Sequence, residues 1–585
     1  MTITGKHDVY EFLVDGQSGL IPGDVSGKAI IAGVCSKGEV GKAYRLGAKS
    51  PVRDLLGLGP LADAVEDAFA GAAAAGNQNS ILIAVPVAGT EGGYIGPVTH
   101  TGHVTLTAPM PRVTGYPSAN ANIVVEVVTE GVPGIATVRT STNGGKSWNA
   151  TAALPLNGQL TITEAGGAGT GITFTFAQDK ELPQGATWHC TVRLPIGPVL
   201  QTGPGPEVVA SGTVLAGAEV HLLITRQGKC NEGQYQLSLD GGDTFGLPRT
   251  LPLEGVIKVP EAGITLALAP GVTYEVGTLY TVTLLPPVPT ITTVMQALER
   301  PLERLDPEFV HVVGPTDAVD WAAFAMLAQG QLERHRPMFL TCESRLPNDG
   351  ENLDAWADWL LDEKAKGAAP YVSCCPSFGE IMNRAGQRQV RNAGGLLVGK
   401  LISIPVQRHI GRVLDGPITP LTLPSGWSDA LQVNLRDAGF ITVQWYEGLN
   451  GAYWGDDKVM AEIISDFQFL TVLRVVFKAL RLMRIQALKS MFDEAGDPLL
   501  ESEAAGLHFL KENLEASLDV MVRARPRELI AGLVDIPTGQ DIVNNGVDCE
   551  VTLIGIPIIK RIRLFTKYVY AGGRFDPRAD VQKQV

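Results

Sequence analysis

The sequence predicts a multi-domain α/β (α+β) core that is interrupted by a tandem pair of β-sandwich domains of the immunoglobulin-like kind. Three observations predict this fold class. The chain has 585 residues, which is more than one hydrophobic core accommodates. Apolar strands alternate with helical segments near the start of the chain and again after residue 290. Between these regions, from about residue 104 to 285, a stretch rich in glycine and proline contains an internal repeat.

The first α/β unit is predicted within residues 25–103. "KAIIAGVC" at 28–35 and "SILIAVPV" at 80–87 are continuous apolar runs, which are typical of buried strands. The segment between them has helical spacing after Ser50 and ends in small residues. This order predicts strand, helix and strand in a sheet that is covered on both faces.

The insertion is predicted to hold two copies of one unit, at residues 104–200 and 201–287. "STNGGKSWNATAALPLNGQLTITEAG", which starts at Ser141, matches "SLDGGDTFGLPRTLPLEGVIKVPEAG", which starts at Ser238, without a gap. Alternating strands joined by N-G, G-G or D-G turns predict two small β-sandwiches. Four aromatic residues suit either stacking on sugars or anchoring the two cores, and we favour the core role. They are Trp148, Trp188, Phe245 and Tyr280.

The α/β pattern resumes at residue 288, so residues 25–103 and 288–430 are predicted to form one discontinuous domain. Residues 431–570 are predicted to form a separate C-terminal domain with a strand, a long basic helix and alternating strands. An extended arm, residues 1–24, precedes these domains, and a polar tail, residues 571–585, follows them.

Charge and cysteine content limit the classes of function. With a net charge of −14 the chain lacks the cationic surface that phosphate backbones require, so we expect no nucleic acid partner. The sequence has no uncharged apolar run long enough to span a bilayer, so we expect no membrane insertion. The start lacks the pattern of a secretory signal, and the seven irregularly spaced cysteines suit reduced thiols. These features indicate a protein made in a cytoplasm.

The best nucleotide-binding candidate is "GGLLVGKL", in which Gly394, Gly399 and Lys400 fit a phosphate-loop pattern. Leu401, however, stands where a serine or threonine would hold magnesium. Because the interior of the motif is apolar, a buried strand joined by glycines is the better interpretation.

Other candidate residues for chemistry have structural interpretations. The pair His100 and His103 has no third metal ligand nearby, and the adjacent Cys374 and Cys375 close an apolar strand. Three carboxylates are spaced four apart on one helix face, which favours a solvated surface; they are Asp354, Asp358 and Asp362. We therefore predict no enzymatic activity, no catalytic residue, no cofactor and no metal.

Two features point towards assembly instead. A long helix from about residue 459 to 490 has an apolar stripe and a basic face, which suits a partner or a solvated surface. Its candidate contact residues are Arg474, Lys478, Arg481 and Arg484. Both ends of the chain alternate like strands, and each either completes a sheet in another subunit or forms an edge strand of its own domain. The inter-subunit strand candidates are Val9, Tyr10, Phe12, Val14, Ile562, Leu564, Tyr568 and Tyr570.

Two stretches resemble contractile tail sheath proteins of bacteriophages, which are related to the sheaths of pyocins and other injection machines. They are "KAIIAGVCSKGEVGKAYRLGAKSPVRDLLGLGPLADAVEDAFAGAAAAGNQNSILIAVPV" and "AGFITVQWYEGLNGAYWGDDKVMAEIISDFQFLTVLRVVFKALRLMRI". The resemblance covers residues 25–100 and 290–570, and the insertion falls where sheath proteins have variable outward domains. Many sheath proteins have an Arg-Thr pair where Asp456 and Asp457 stand here.

The resemblance implies a structural subunit of a phage tail that polymerises helically, in stacked hexameric rings, around a tail tube protein. Contraction by subunit rearrangement would drive the tube through the host envelope, with baseplate and tail terminator proteins as further partners. The basic helix would then grip an acidic tube surface, and the terminal strands would link neighbouring subunits.

Two alternatives remain open from the sequence. One is a glycan-active α/β enzyme with two β-sandwich carbohydrate-binding modules, because the repeats contain aromatic residues at equivalent positions. The other is a different structural component of a tail, in its tube or baseplate.

Overall fold

The structure is a computed structural model. It describes residues 26–571 except 91–92, 97, 102–109, 116, 165, 348–350, 384–385, 498–503 and 538.

The chain first builds half of a parallel sheet. Its elements are β1 (Ala29–Val34), β2 (Tyr44–Gly47), α1 (Val52–Leu56), α2 (Pro60–Ala74) and β3 (Ile81–Val87). β1 pairs with β3 in parallel, and every residue of β1 is buried. α2 begins at Pro60, since a proline has no N–H to leave unsatisfied at the first helical position. The predicted order of strand, helix and strand is confirmed.

The first part of the insertion forms two antiparallel sheets. Its strands are β4 (Gly89–Thr90), β5 (Tyr94–Ile95), β6 (Thr99–Thr101), β7 (Arg112–Gly115), β8 (Ala121–Thr129), β9 (Thr137–Ser141), β10 (Ala152–Ala153), β11 (Gln159–Thr163), β12 (Gly169–Thr175) and β13 (Thr187–Arg193). One sheet has the order β10-β9-β8-β13, with β5 and β6 also paired to β13, and the other has the order β11-β12-β7. Phe174 and Trp188 belong to one buried cluster that both sheets share. β5 and β6, which precede residue 104, also pair with β13.

The second part repeats the arrangement. Its strands are β14 (Leu200–Thr202), β15 (Val208–Gly212), β16 (Ala218–Arg226), β17 (Gln234–Ser238), β18 (Arg249–Thr250), β19 (Val256–Val259), β20 (Ile264–Leu268), β21 (Leu279–Leu284) and β22 (Val288–Pro289). The sheets have the orders β14-β21-β16-β17-β18 and β15-β20-β19, and they share a cluster that includes Tyr274 and Tyr280. β22 pairs with β4 and so closes the base of the insertion.

The same turn recurs in both parts, which accounts for the repeat. Asn143 Oδ1 accepts a hydrogen bond from the Ser147 amide at 2.9 Å, and Asp240 Oδ1 accepts one from the Thr244 amide at 2.9 Å. In each copy a serine two residues earlier accepts a hydrogen bond from a glycine amide, again at 2.9 Å. Side-chain acceptors of this kind satisfy turn amides that no strand can reach.

The second half of the parallel sheet follows the insertion. Its elements are α3 (Ile291–Arg304), β23 (Phe309–Thr316), α4 (Ala318–Glu333), β24 (Phe339–Ser344), α5 (Leu353–Ala365) and β25 (Val372–Cys375). The complete sheet has the order β2-β3-β1-β23-β24-β25, in which only β2 is antiparallel to its neighbour. Ala29 of β1 pairs with Phe309 of β23. The two halves of the sheet are therefore adjacent in space, although the insertion separates them along the chain.

The next segment wraps the sheet. Its elements are β26 (Phe378–Met382), β27 (Arg388–Asn392), α6 (Gly394–Leu401), a short 3-10 helix (Val413–Asp415), β28 (Leu421–Thr422), α7 (Asp429–Ala438), β29 (Val443–Gln444) and β30 (Tyr453–Trp454). The prediction of a strand at "GGLLVGKL" is wrong, because these residues form α6. A Cβ atom at Gly395 would lie 2.7 Å from the Ala64 carbonyl oxygen, so the glycines allow α6 to lie directly on α2.

The last elements are α8 (Leu470–Lys489), α9 (Ala505–Arg523), β31 (Ala531–Asp535), α10 (Ile542–Asn545) and β32 (Glu550–Ile554). Of these, α8, α9, β31 and β32 contribute to a smaller cluster, which includes Val475 of α8 and Leu518 of α9. Leu435, Phe440 and Phe477 belong instead to the cluster of the parallel sheet. Both clusters therefore include residues of α8, and the domain boundary at residue 431 stays a prediction.

Candidate assembly site at the basic helix and the C-terminal segment

An aspartate from outside the helix caps the N-terminus of α8. The residue before the helix, Phe469, has no side-chain acceptor. Asp457 caps the helix in its place. Its Oδ2 accepts a hydrogen bond from the Thr471 amide at 2.7 Å, and its carbonyl oxygen accepts one from the Leu470 amide at 2.8 Å. A carboxylate at this end of a helix also interacts favourably with the helix dipole. This contact explains why an aspartate suits the position.

Arg474 of α8 is buried rather than directed at solvent. Only 2% of the residue is exposed, and its guanidinium forms an ion pair with Glu308 of the segment that leads into β23. The same guanidinium donates to the carbonyl oxygens of Leu401 and Ile404 at 3.1 and 3.3 Å. Arg474 therefore fixes α8 to the start of the central strand β23 and to the end of α6.

Two further cations of α8 also have acidic partners within the chain. Arg481 lies 2.7 Å from Asp306, and Lys478 lies 2.9 Å from Glu528. The prediction that Arg474, Lys478 and Arg481 form an outward cationic face is therefore wrong, because these side chains point into the protein's own packing. Arg484 is exposed, and it is the one predicted contact residue of this set that remains on the surface.

His409 lies between the two aspartates that precede α8. Its Nε2 is 3.0 Å from Asp456 Oδ1 and 2.9 Å from Asp457 Oδ1. Burial lowers the pKa of His409, but the hydrogen bonds and charges of the two aspartates outweigh burial and raise it to about 9. The Gly411 amide donates a hydrogen bond to Nδ1 at 3.0 Å, so Nε2 carries the proton that faces the two aspartates.

Among the residues that the structure describes, His409, Asp456 and Asp457 are also the group whose donor atoms lie close enough to hold a metal ion. A metal ligand must be a neutral imidazole. The pKa of His409 is raised to about 9, so a metal ion at this cluster would have to displace a proton from the ring.

Lys560 adds a second cation to this cluster and ties the end of the chain to α8. Its Nζ lies 2.6 Å from Asp456 Oδ1 and 3.3 Å from the centroid of the Phe469 ring. Burial raises the pKa of Asp456, but hydrogen bonds from His409 and Lys560 outweigh burial and hold it below its usual range. Sequence analysis missed this cluster because His409, Asp456 and Lys560 are far apart along the chain.

The segment that contains Lys560 is the most exposed apolar stretch near this site. None of residues 555–570 lies in a helix or a strand, and every one is exposed, so the prediction of continuous strands beyond β32 is wrong for the isolated chain. The segment exposes nine large apolar side chains; they are Ile556, Ile558, Ile559, Ile562, Leu564, Phe565, Tyr568, Val569 and Tyr570. An exposed patch of this size is typical of an interaction surface. The candidates Val9, Tyr10, Phe12 and Val14 lie outside the described residues.

The place where an open parallel sheet usually binds a cofactor is filled by the insertion. In such sheets the cofactor lies at the carboxyl ends of two neighbouring strands at which the strand order reverses. These two strands are β1 and β23 here. β22 contacts both strands, and a Cβ atom at Gly314 would lie 2.8 Å from Pro289 Cδ. The chain itself therefore occupies this crevice.

The other candidates for chemistry have structural partners. Lys400 forms an ion pair with Asp415 at 2.9 Å, and His100 Nδ1 lies 2.9 Å from the Thr187 carbonyl oxygen. Burial raises the pKa of Cys374 and Cys375, which disfavours the reactive thiolate. His103 lies outside the described residues. Asp354, Asp358 and Asp362 are exposed on α5, as a solvated helix face requires.

The aromatic residues of the repeats serve mainly as core anchors. Trp188 and Tyr280 are buried, and Trp148 is stacked under Arg139 with its ring centroid 4.4 Å from Cζ. Phe245 is partly exposed. A sugar-stacking site needs exposed rings, and these positions do not provide a paired set of them. Among the described residues, no helix is long and apolar enough to cross a membrane.

The fold and this site define a class of protein, which is an α/β protein with inserted β units and an exposed apolar C-terminal segment. The chain belongs to the DUF2586 family. The family model of the N-terminal domain matches residues 7–458, and that of the C-terminal domain matches residues 466–573. No curated protein sequence matches the chain.

Solved structures similar to this chain are sheath proteins. The sheath tail protein from Desulfitobacterium hafniense is 12% identical, with 94% of this chain and all of that chain covered and a TM-score of 0.38. A sheath tail protein from Listeria innocua is 7% identical, with 91% and 96% covered and a TM-score of 0.37. The PVC sheath complex of an extracellular contractile injection system, in its contracted state, is 14% identical, with 48% and 76% covered and a TM-score of 0.35.

Proposed function

We propose that this protein is a structural, non-enzymatic subunit of a contractile phage tail sheath. Its copies polymerise helically, as stacked hexameric rings, around a tail tube. Rearrangement of the subunits contracts the polymer and drives the tube through the host envelope. Baseplate and tail terminator proteins bind the two ends of the polymer, and the assembled protein resides in the tail of the virion.

The observation that best supports this proposal is the exposed C-terminal segment, residues 555–570. It alternates apolar and basic side chains as a strand does, yet it has no strand partner among the described residues. Backbone groups without a partner and large exposed apolar side chains are both satisfied by adding the segment to another subunit. The sequence resemblance of residues 25–100 and 290–570 to sheath proteins supports the same function.

The two inserted units, residues 104–200 and 201–287, are proposed to be immunoglobulin-like β-sandwich domains that lie on the outside of the polymer. The parallel sheet then forms the middle layer, and the unit of α8, α9 and the β31–β32 pair forms the inner layer next to the tube. Arg484 remains the proposed tube contact of α8, because it is exposed where the neighbouring cations are not.

Negative-stain electron microscopy of the purified chain at high concentration tests the proposal. We expect hollow cylinders with regular striations. Compact particles that do not assemble at any concentration or salt would contradict it. Solid rods or flat discs would point to another structural component of the tail.

A further inference from the structure

A cavity of about 320 Å³ opens between the second half of α2 and the end of β26, away from the basic helix. Two buried carboxylates of α2, Glu66 and Asp67, line it together with the side-chain amides of Gln78 and Asn383. The rest of the lining is apolar and includes Phe69. A few polar groups in an apolar wall are typical of a cavity that binds a ligand.

The carboxylates at this cavity belong to a buried cluster in which negative charge exceeds positive charge. Arg53 Nη2 lies 2.6 Å from both Asp63 Oδ1 and Glu66 Oε2. Arg391 Nη2 lies 3.0 Å from Asp67 Oδ1, and its Nη1 lies 3.4 Å from the same oxygen of Asp63. Two guanidiniums therefore serve three carboxylates, which leaves negative charge without a counter-charge.

A fourth carboxylate beside the cluster adds to the imbalance. Glu343 is buried, and its Oε2 accepts a hydrogen bond from the Gly314 amide at 3.0 Å, while its Oε1 lies 3.4 Å from His311 Nε2. Burial raises the pKa of Asp67 to about 7; Arg391 opposes this, and the neighbouring carboxylates add to it. Excess negative charge in a buried cluster is costly unless another positive group approaches it.

Each of the two carboxylates at the cavity also has one oxygen without a partner. Asp67 accepts its hydrogen bond from Arg391 on Oδ1, and Glu66 accepts its hydrogen bond from Arg53 on Oε2. No donor in the described part of the chain reaches the second oxygen of either carboxylate, although only 5% of Asp67 is exposed. Buried polar atoms without partners are rare, so these oxygens indicate a donor that the chain does not supply.

We propose that the cavity binds a guanidinium group carried on a short apolar chain, as in an arginine side chain. The guanidinium donates to the free oxygens of Glu66 and Asp67, and the chain that carries it lies along Ala70 and Ala73. A guanidinium has its donors in one fixed plane and is more weakly hydrated than an ammonium, so it suits two half-buried carboxylates better. Binding in the cavity does not require assembly of the subunits, so its absence would leave the proposed function intact.

Calorimetric titration of the full chain with butylguanidinium tests the chemistry of the site. Butylurea has nearly the same shape without the charge, and butylammonium has the charge without the planar group. We expect butylguanidinium to bind saturably and about tenfold more tightly than either comparison compound. Equal binding of a comparison compound, or no saturable binding of butylguanidinium, would overturn the proposal.

A matched pair of variants tests the place of binding. Ala73→Leu adds a side chain to the cavity wall, whereas Ala74→Leu changes the next residue of α2, which does not line the cavity. Both positions are exposed, so the fold is expected to be unchanged, and melting curves check this. We expect Ala73→Leu to weaken the binding of butylguanidinium by about tenfold and Ala74→Leu to leave it unchanged. Equal affinities of the two variants would contradict binding in this cavity.

Titration with a blocked peptide, acetyl-Gly-Arg-Gly-amide, distinguishes the two sources of the guanidinium. An affinity like that of butylguanidinium, lost in Ala73→Leu, would support the proposal and assign the cavity to an arginine of a partner protein. Binding of butylguanidinium without binding of the peptide would support the proposal and assign the cavity to a small free guanidine.

Discussion

Helix α8 and the C-terminal segment are both basic and apolar, but the chain treats them in opposite ways. The cations of α8 meet acidic partners in the same chain, as Arg474 does at Glu308 and Arg481 does at Asp306. The cations of the C-terminal segment lie on the surface, and Lys560 alone has a described ion-pair partner, at Asp456. A run of basic residues in a sequence therefore does not predict a binding partner by itself. Acidic residues of the same chain can pair with it in the fold. The segment whose charges and apolar groups remain exposed is the better candidate for assembly.

The largest expected effect on stability is at Arg474. Replacing Arg474 with Met leaves Glu308 buried without its counter-charge, and we expect the free energy of unfolding to fall by about 3–5 kcal/mol. Denaturant unfolding followed by circular dichroism measures this. Arg484→Met on the same helix is the control, and it should change stability by less than about 0.5 kcal/mol.

If Arg474→Met and Arg484→Met lowered the free energy of unfolding equally, the buried ion pair of Arg474 would not be what holds α8 in place. Adding Glu308→Gln to the Arg474→Met variant should restore part of the lost stability, because the buried charge is then removed as well.

A pH-dependent effect is expected at Asp67, which lies 3.0 Å from Arg391. Burial raises the pKa of Asp67 to about 7, although the charge of Arg391 opposes this. The folded protein therefore binds this proton more tightly than the unfolded chain, and stability falls as pH rises from about 4 to 7, by at most about 1.4 kcal/mol per pH unit.

Asp67→Asn should remove that part of the pH dependence. The difference between the unfolding free energies of the unchanged protein and the variant, measured from pH 4 to 8, gives the contribution of Asp67 directly. Asp358→Asn on the exposed face of α5 is the matched control and should leave the slope unchanged. A slope that persists in Asp67→Asn would place the titrating group elsewhere.

Local patterns predicted the elements whose structure depends on their own residues. β1, β3 and α2 follow from apolar runs and helical spacing, and the two inserted units follow from a repeat whose turns bond within a few residues. "GGLLVGKL" was misread because a short apolar run with glycines suits a strand or a helix equally. Its glycines serve a contact with α2, more than 300 residues earlier in the chain.

The site depended on contacts that no local pattern reveals. The partner of Arg474 is Glu308, 166 residues away, and the partner of Lys560 is Asp456, 104 residues away. The cationic stripe of α8 looked like a free surface because these acidic residues are scattered along the sequence. The apolar alternation of the C-terminal segment, by contrast, is visible in the sequence. The structure shows that this segment is exposed, which favours a role in assembly.

The measurement that tests this account most directly is the comparison of the intact chain with a chain that ends at Ile554, by sedimentation and negative-stain electron microscopy. Residues 555–570 pair with no strand among the described residues, so the shortened chain should keep its melting temperature and its far-ultraviolet circular dichroism. We expect cylinders from the intact chain and only folded, unassembled protein from the shortened one. Cylinders of normal appearance from the shortened chain would contradict the claim that the C-terminal segment joins the subunits.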